Sequence, residues 1–190
     1  MQASPSTARR RTNVERRTSM RARLMEATVE CLHELGFAAT TTTEVANRAG
    51  VSRGAQLHHF PTKQALVTAA IEHVLELRIA EFRRAFVQKS PKGEDRAETA
   101  VKLMWKVTQG PTFYAWLELV VAARTDPKLR QAMQLIAARF EGSVRAAFLE
   151  AFPEHEDHPA AHVAPWFTLA TLQGFALDRI LDPDEPRLPL

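Results

Sequence analysis

Apolar residues recur three and four positions apart, stripe after stripe, along this chain, and that spacing is the period of an α-helix. Met20, Leu24, Ala27, Cys31 and Leu35 form the first stripe, which predicts a helix from about Glu15 to Leu35. Gly36 ends it, since glycine takes the positive φ after a helix without steric cost, and Phe37 can then fold back onto Leu32. A longer stripe, Val67, Ile71, Leu75, Ile79, Phe82 and Phe86, predicts a long helix beginning near Thr62 and stopping before Ser90-Pro91-Lys92-Gly93. Further helices are expected over 94–108, 111–124, 127–152 and 159–181. Pro111, Pro127 and Pro159 stand near the first positions of three of them, where a missing N–H costs nothing. Leu129, Met133, Ile136, Phe140, Val144 and Phe148 share one face of the seventh helix. Val163, Trp166, Ala170, Gln173 and Leu177 share one face of the eighth. Strand-like alternation is scarce, and Ala, Leu, Arg and Glu dominate, so the chain reads as all-α with about eight helices.

Between the first and fourth helices lie two much shorter ones. Residues 41–60 read TTTEVANRAGVSRGAQLHHF. Thr41 and Glu44 have the spacing of a capping box, and Gly50 closes the helix they open. Ser52 caps the next helix, Arg53 to about Phe60, which Pro61 stops. Val45, Ala46 and Ala49 give the first short helix a small packing face, and Val51 plugs the corner. Gly54 and Ala55 keep the second slim, so that its free N–H groups and positive dipole end can approach phosphate closely.

Charge is distributed unevenly. Residues 1–60 hold nine arginines, no lysine and five glutamates, a net +4, whereas residues 61–190 hold 16 basic and 17 acidic groups, a net −1. A basic end attracts polyanions, because groups paired with phosphates release condensed counter-ions. A single cysteine, Cys31, excludes an intrachain disulfide, and its place on the first stripe marks it as core. No apolar run of about 18 residues occurs, and Glu26 interrupts the first apolar segment, so neither a membrane span nor a signal peptide is expected. The expected compartment is the cytoplasm.

The pattern Thr42-Thr43, Val45-Ala46, Ala49-Gly50-Val51-Ser52, Gly54, His59-Phe60, Lys63 and Leu66 resembles the TetR (tetracycline-repressor) family of bacterial transcriptional regulators, over about residues 17–70. Residues 1–13, Ser/Thr/Arg-rich, read as a disordered basic arm, and the resemblance implies a helix-turn-helix DNA-binding domain at 14–62. A helical ligand-binding and dimerisation domain would follow at 63–182, with a loose tail at 183–190. Thr42 and Thr43 would meet backbone phosphates. Ser52, Arg53, Gly54, Gln56 and His58 would belong to a recognition helix in the major groove of double-stranded DNA, and His59 and Lys63 would contact phosphate. Arg53 can read guanine through N7 and O6, or hold a phosphate without reading sequence. Arg9, Arg10 and Arg11, with Arg16 and Arg17, can enter a minor groove or add only nonspecific attraction. Two positions depart from the family pattern. Gln56 stands where Leu or Ile is usual, turned toward the packing face or toward a base, and Leu57 replaces a phosphate-binding Tyr.

The resemblance also implies a homodimer and a small-molecule inducer of unknown identity. The last two helices would form the dimer face, with Phe140, Val144 and Phe148 on one and Ala170, Gly174 and Leu177 on the other. Gly174 would admit a partner helix, or only an intrachain neighbour. Met104, Trp105, Phe113 and Tyr114, with Trp116, Trp166, Phe167 and Phe175, are candidate pocket walls or plain core. Few charges fall in these stretches, which favours an apolar ligand. The group His155, His158 and His162 reads as an interhelix loop rather than a metal site, because Pro159 leaves His158 outside the helix. No GxSxG, GxGxxG or phosphate-loop pattern supports an enzyme, and no cofactor is implied. The leading reading is a ligand-released repressor on a palindromic operator. An activator or inducer-free regulator, and a helical binding protein or enzyme with a vestigial helix-turn-helix, are the alternatives.

Overall fold

The computed structural model describes residues 13–89 and 95–182, so the basic arm up to residue 12, the Ser90–Gly93 loop and the C-terminal tail lie outside the described residues. Within them the chain is all-α. The elements are α1 (Asn13–Ala39), α2 (Thr42–Arg48), α3 (Arg53–His59), α4 (Lys63–Lys89), α5 (Asp95–Val107), α6 (Pro111–Ala123), α7 (Pro127–Ala151) and α8 (Ala164–Leu181). Short 3-10 turns at Pro153–His155 and Pro159–His162 join α7 to α8. No described helix is long and apolar enough to cross a membrane.

The boundaries follow local chemistry. Gly36 breaks α1 with φ 75°, and the last residues of that helix continue beyond the kink. Phe37 packs against the cluster containing Leu32, as the sequence predicts. Its N–H donates to Glu118 Oε2 of α6 at 2.8 Å. Leu35 corrects the first stripe: it is 41% exposed, because the kink one residue later ends the face that α1 buries. The eighth helix also starts later than expected. Pro159 opens only a 3-10 turn, capped by His158 Nδ1 accepting from the Ala160 N–H at 3.1 Å, and Pro165 then lies in the first turn of α8.

Among the described residues two large apolar clusters, with a smaller one of Ala100, Leu103 and Ala151, hold the molecule together. Leu24, Met25, Ala27 and Cys31 of α1 meet Val45, Ala49, Phe60, Leu66 and Ala69 beneath the short helices. Farther along, Val29 and Leu32 join Val67, Ile71 and Val74 of α4, Leu119 of α6, and Leu129, Met133 and Ile136 of α7. Each Val, Leu, Ile, Met or Phe among them, fully buried, stabilises by about 1.5–3 kcal/mol. Cys31 is fully buried, and burial pushes its thiol above its ordinary range, as a core cysteine requires. Helices α1 and α4 contribute to both clusters, so the orientation of the short helices is tied to the bundle.

Candidate nucleic-acid interface and bundle cavity

Two capped short helices with a glycine turn make a rigid corner. Thr41 Oγ1 accepts from the Glu44 N–H at 3.1 Å and Ser52 Oγ from the Ala55 N–H at 3.2 Å, so both predicted caps form. Gly50, at φ 61°, lets the Val51 N–H reach Ala46 O and its own N–H reach Asn47 O, both at 3.0 Å. That pair of bonds is the Schellman closure of a helix end. Arg23 of α1 adds a clamp that sequence reasoning missed: its guanidinium donates to the carbonyls of Ala49 and Gly50. Arg48 of α2 pairs with Glu34 of α1 at 2.7 Å. Helix α3 is thereby presented on a braced turn.

Most of the predicted contact residues share the free side of that corner. Thr43, Ser52, Arg53, Gly54 and His58 are exposed, and Thr42 and His59 are half-buried. Arg53 donates to Thr43 Oγ1, so the guanidinium at the start of α3 is placed beside the hydroxyl at the start of α2. A Cβ built at Gly54 meets nothing within 4 Å, which leaves the first turn of α3 open to a large partner. Leu57 faces solvent at 41% exposure, leaving the exposed His58 and Thr62 as the polar groups flanking the replaced tyrosine position.

Two residues depart from the expected set. Gln56 is fully buried, and its Nε2 donates to Phe60 O at 2.7 Å, while Oε1 finds no partner among the described residues. The carboxamide satisfies the end of α3 from within and cannot read a base from there; Leu or Ile at this position would fill the same space without that bond. Lys63 turns inward as well, donating to Phe37 O at 2.9 Å with its Nζ 4.3 Å from the Phe37 ring centre. Burial pulls its ammonium below the ordinary lysine range.

In the bundle, a cavity of about 170 Å³ lies among α4, α5, α7 and α8. Of the candidate wall residues, Met104 lines it and the others do not. Trp105 lies under the Arg179 guanidinium, Phe113 is buried beside Tyr114, and Tyr114 stacks on His33 of α1. Trp116 packs on the main cluster, Trp166 sits edge-on to Phe140, Phe175 is half-buried, and Phe167 is 71% exposed. The predicted dimer residues divide. Phe140, Val144 and Phe148 line the cavity, because they continue the inward face that carries Met133 and Ile136. Ala170, Gly174 and Leu177 are exposed on α8, and a Cβ built at Gly174 meets nothing within 4 Å among the described residues, so this glycine accommodates none of them as an intrachain neighbour. The sequence also hid Arg78, which lines the cavity at 3% exposure. Its signal was a cation three positions after Leu75, on the face α4 buries.

A short exposed helix on a braced glycine turn, with α4 leading into a hollow helical bundle, defines a helix-turn-helix DNA-binding regulator. The family model of bacterial regulatory proteins of the tetR family matches residues 24–70. An uncharacterized HTH-type transcriptional regulator of Mycobacterium tuberculosis is 30% identical over 186 residues, covering 95% of this chain and 94% of that protein. The HTH-type transcriptional regulator CymR of Pseudomonas putida is 31% identical over 180 residues, covering 94% of this chain and 88% of CymR. A crystal structure of a transcriptional regulator from Rhodococcus sp. Rha1 superposes with a TM-score of 0.67 at 26% identity, covering 86% of this chain and 84% of that one. The chain belongs to the TetR family of bacterial transcriptional regulators: it is a DNA-binding regulator and not an enzyme.

Proposed function

We propose that the protein is a homodimeric repressor that leaves a palindromic operator when a small, largely apolar ligand enters the bundle. The observation that carries this reading is the apolar cavity against α4, the helix whose other end packs under the DNA-binding corner through Leu66 and Ala69. A ligand that binds one tilt of α4 better than another shifts the population toward it, and the corner follows. Arg53 reads guanine in the major groove, with Thr43, Ser52 and His58 beside it, while Thr42 and His59 flank the phosphates. Lys63 serves as a brace for α4 rather than as a free phosphate contact.

Dimerisation is assigned to the outer face of α8. Val163, Phe167 and Leu177 are 62%, 71% and 41% exposed and align with Ala170 and Gly174 at helical spacing. An apolar stripe of this length on a surface marks an interface, and the small residues at its centre let a second helix approach. A twofold pair presents two α3 helices, which suits half-sites about 34–36 Å apart or a multiple of that. The protein would act in the cytoplasm, where its DNA is. The test is a gel shift on the gene's own upstream DNA. Arg53→Ala should weaken specific binding by about 1–3 kcal/mol and leave nonspecific binding nearly intact. If Arg53→Ala binds that DNA as tightly as the parent, the recognition assignment fails.

A further inference from the structure

Arg78 is the one charged side chain among the described residues that line the bundle cavity; only Ser143 and Thr168 add further polar side chains to the wall. It is 3% exposed, and its Nε and Nη1 make no hydrogen bond among the described residues. The Phe113 ring lies 5.7 Å from the guanidinium carbon. Burial pulls the guanidinium down to about 10, with the Glu81 carboxylate working in the opposite direction, so it stays positive at neutral pH. A charge held out of water with idle donors is costly unless an anion and hydrogen bonds complete it.

The missing complement can be described chemically. A guanidinium offers a planar fork that matches a carboxylate with two parallel bonds. A phosphate or sulfate ester would bring more acceptors than one Arg and two hydroxyls can meet, and the Ser143 hydroxyl already donates to Arg139 O. The remaining wall is apolar, with Met104, Phe140, Val144 and Phe148 prominent. Size sets a second limit. An apolar cavity of about 150 Å³ holds benzene, so about 170 Å³ admits one ring or a short branched chain beside the carboxylate.

We propose that this cavity is a binding site for a compact organic carboxylate, its acid group paired with Arg78 and its apolar body among the α5 and α7 side chains. The inference rests on the reading that the cavity takes the regulator's effector, and it names that effector's class. Arg78 lies 15 residues after Lys63, about 22 Å along α4. An anion drawing on Arg78 therefore acts on the helix that braces the DNA-binding corner.

Calorimetric titration of the full-length protein tests this with benzoate, phenylacetate and hexanoate, each beside its carboxamide, and with benzylamine. At least one acid should bind about tenfold or more tighter than its amide. Arg78→Met, which keeps much of the apolar bulk, should abolish that preference, and Arg78→Lys, which keeps charge without the fork, should retain part of it. The acid-to-amide comparison on the parent protein stands even if Arg78→Met fails to fold. Amides or benzylamine binding as tightly as the acids, no binding by any acid, or an undiminished acid preference in a folded Arg78→Met would each overturn the assignment. A parallel gel shift separates the two readings. An acid that binds without releasing DNA refutes ligand release and leaves the carboxylate site. Release by another class of compound, with no acid binding, refutes the carboxylate site and leaves ligand release.

Discussion

Replacing Gly50 by alanine should reveal how far the DNA-binding corner depends on one backbone angle and one guanidinium. Gly50 sits at φ 61°, where an L-residue costs about 1–2 kcal/mol. The added Cβ would lie 2.9 Å from Arg23 Nη2, too close to keep that group in place. Arg23 can swing its tip aside, so the steric cost itself is small. What is lost is a charged donor on the carbonyls of Ala49 and Gly50, worth about 1–3 kcal/mol. Alanine returns about 0.5 kcal/mol by restricting the unfolded chain. Gly50→Ala should therefore destabilise by about 2–4 kcal/mol in urea unfolding. The decisive measurement is a double-mutant cycle. In an Arg23→Ala background the same change should cost only the backbone strain less the unfolded-chain gain, about 0.5–1.5 kcal/mol. An equal cost in both backgrounds would refute the coupling between Arg23 and the turn, and a cost near zero would refute the strain as well.

Two further outcomes follow from other parts of the molecule. Cys31, fully buried with its thiol pushed above its ordinary value of 9.0, should resist Ellman's reagent at pH 8 until denaturant is added. Because the unfolded thiol ionises first, Cys31 should cost stability as pH rises past about 9; fast labelling of the native protein would contradict its place in the core. Phe167→Glu on the outer face of α8 should shift the protein from dimer to monomer in sedimentation velocity with little change in helicity, and a persistent dimer would move the interface elsewhere.

Much of this architecture was legible because helices announce themselves locally. Thr41, Gly50, Ser52 and Pro61 place the ends of α2 and α3 by rules that act within four residues, and they hold in the structure. Periodicity also separates the buried face of a helix from its exposed face. It does not say what opposes a buried face. Phe140, Val144 and Phe148 were correctly grouped with Met133, yet a line of apolar residues reads the same whether it meets core, a partner or a hollow. The aromatic residues, open to either reading from sequence, show the same limit: Trp105 and Tyr114 are taken up by Arg179 and His33, far away in sequence. Gln56 and Lys63 illustrate a different limit. Polar residues inside a DNA-binding motif suggest contact with DNA, but each completes a backbone carbonyl within the fold, at Phe60 and at Phe37.

The peptide groups of Phe37 are held from two sides, the N–H by Glu118 of α6 and the carbonyl by Lys63 of α4. One residue thus links two bundle helices to the end of α1. Under the α4 tilt proposed above, these opposing grips would pull on the end of α1 as well, and through it on the support of the DNA-binding corner. Such a link would carry a small internal slip to the DNA-binding corner, which would make the chain between Leu32 and Thr41 consequential for the proposed release of DNA.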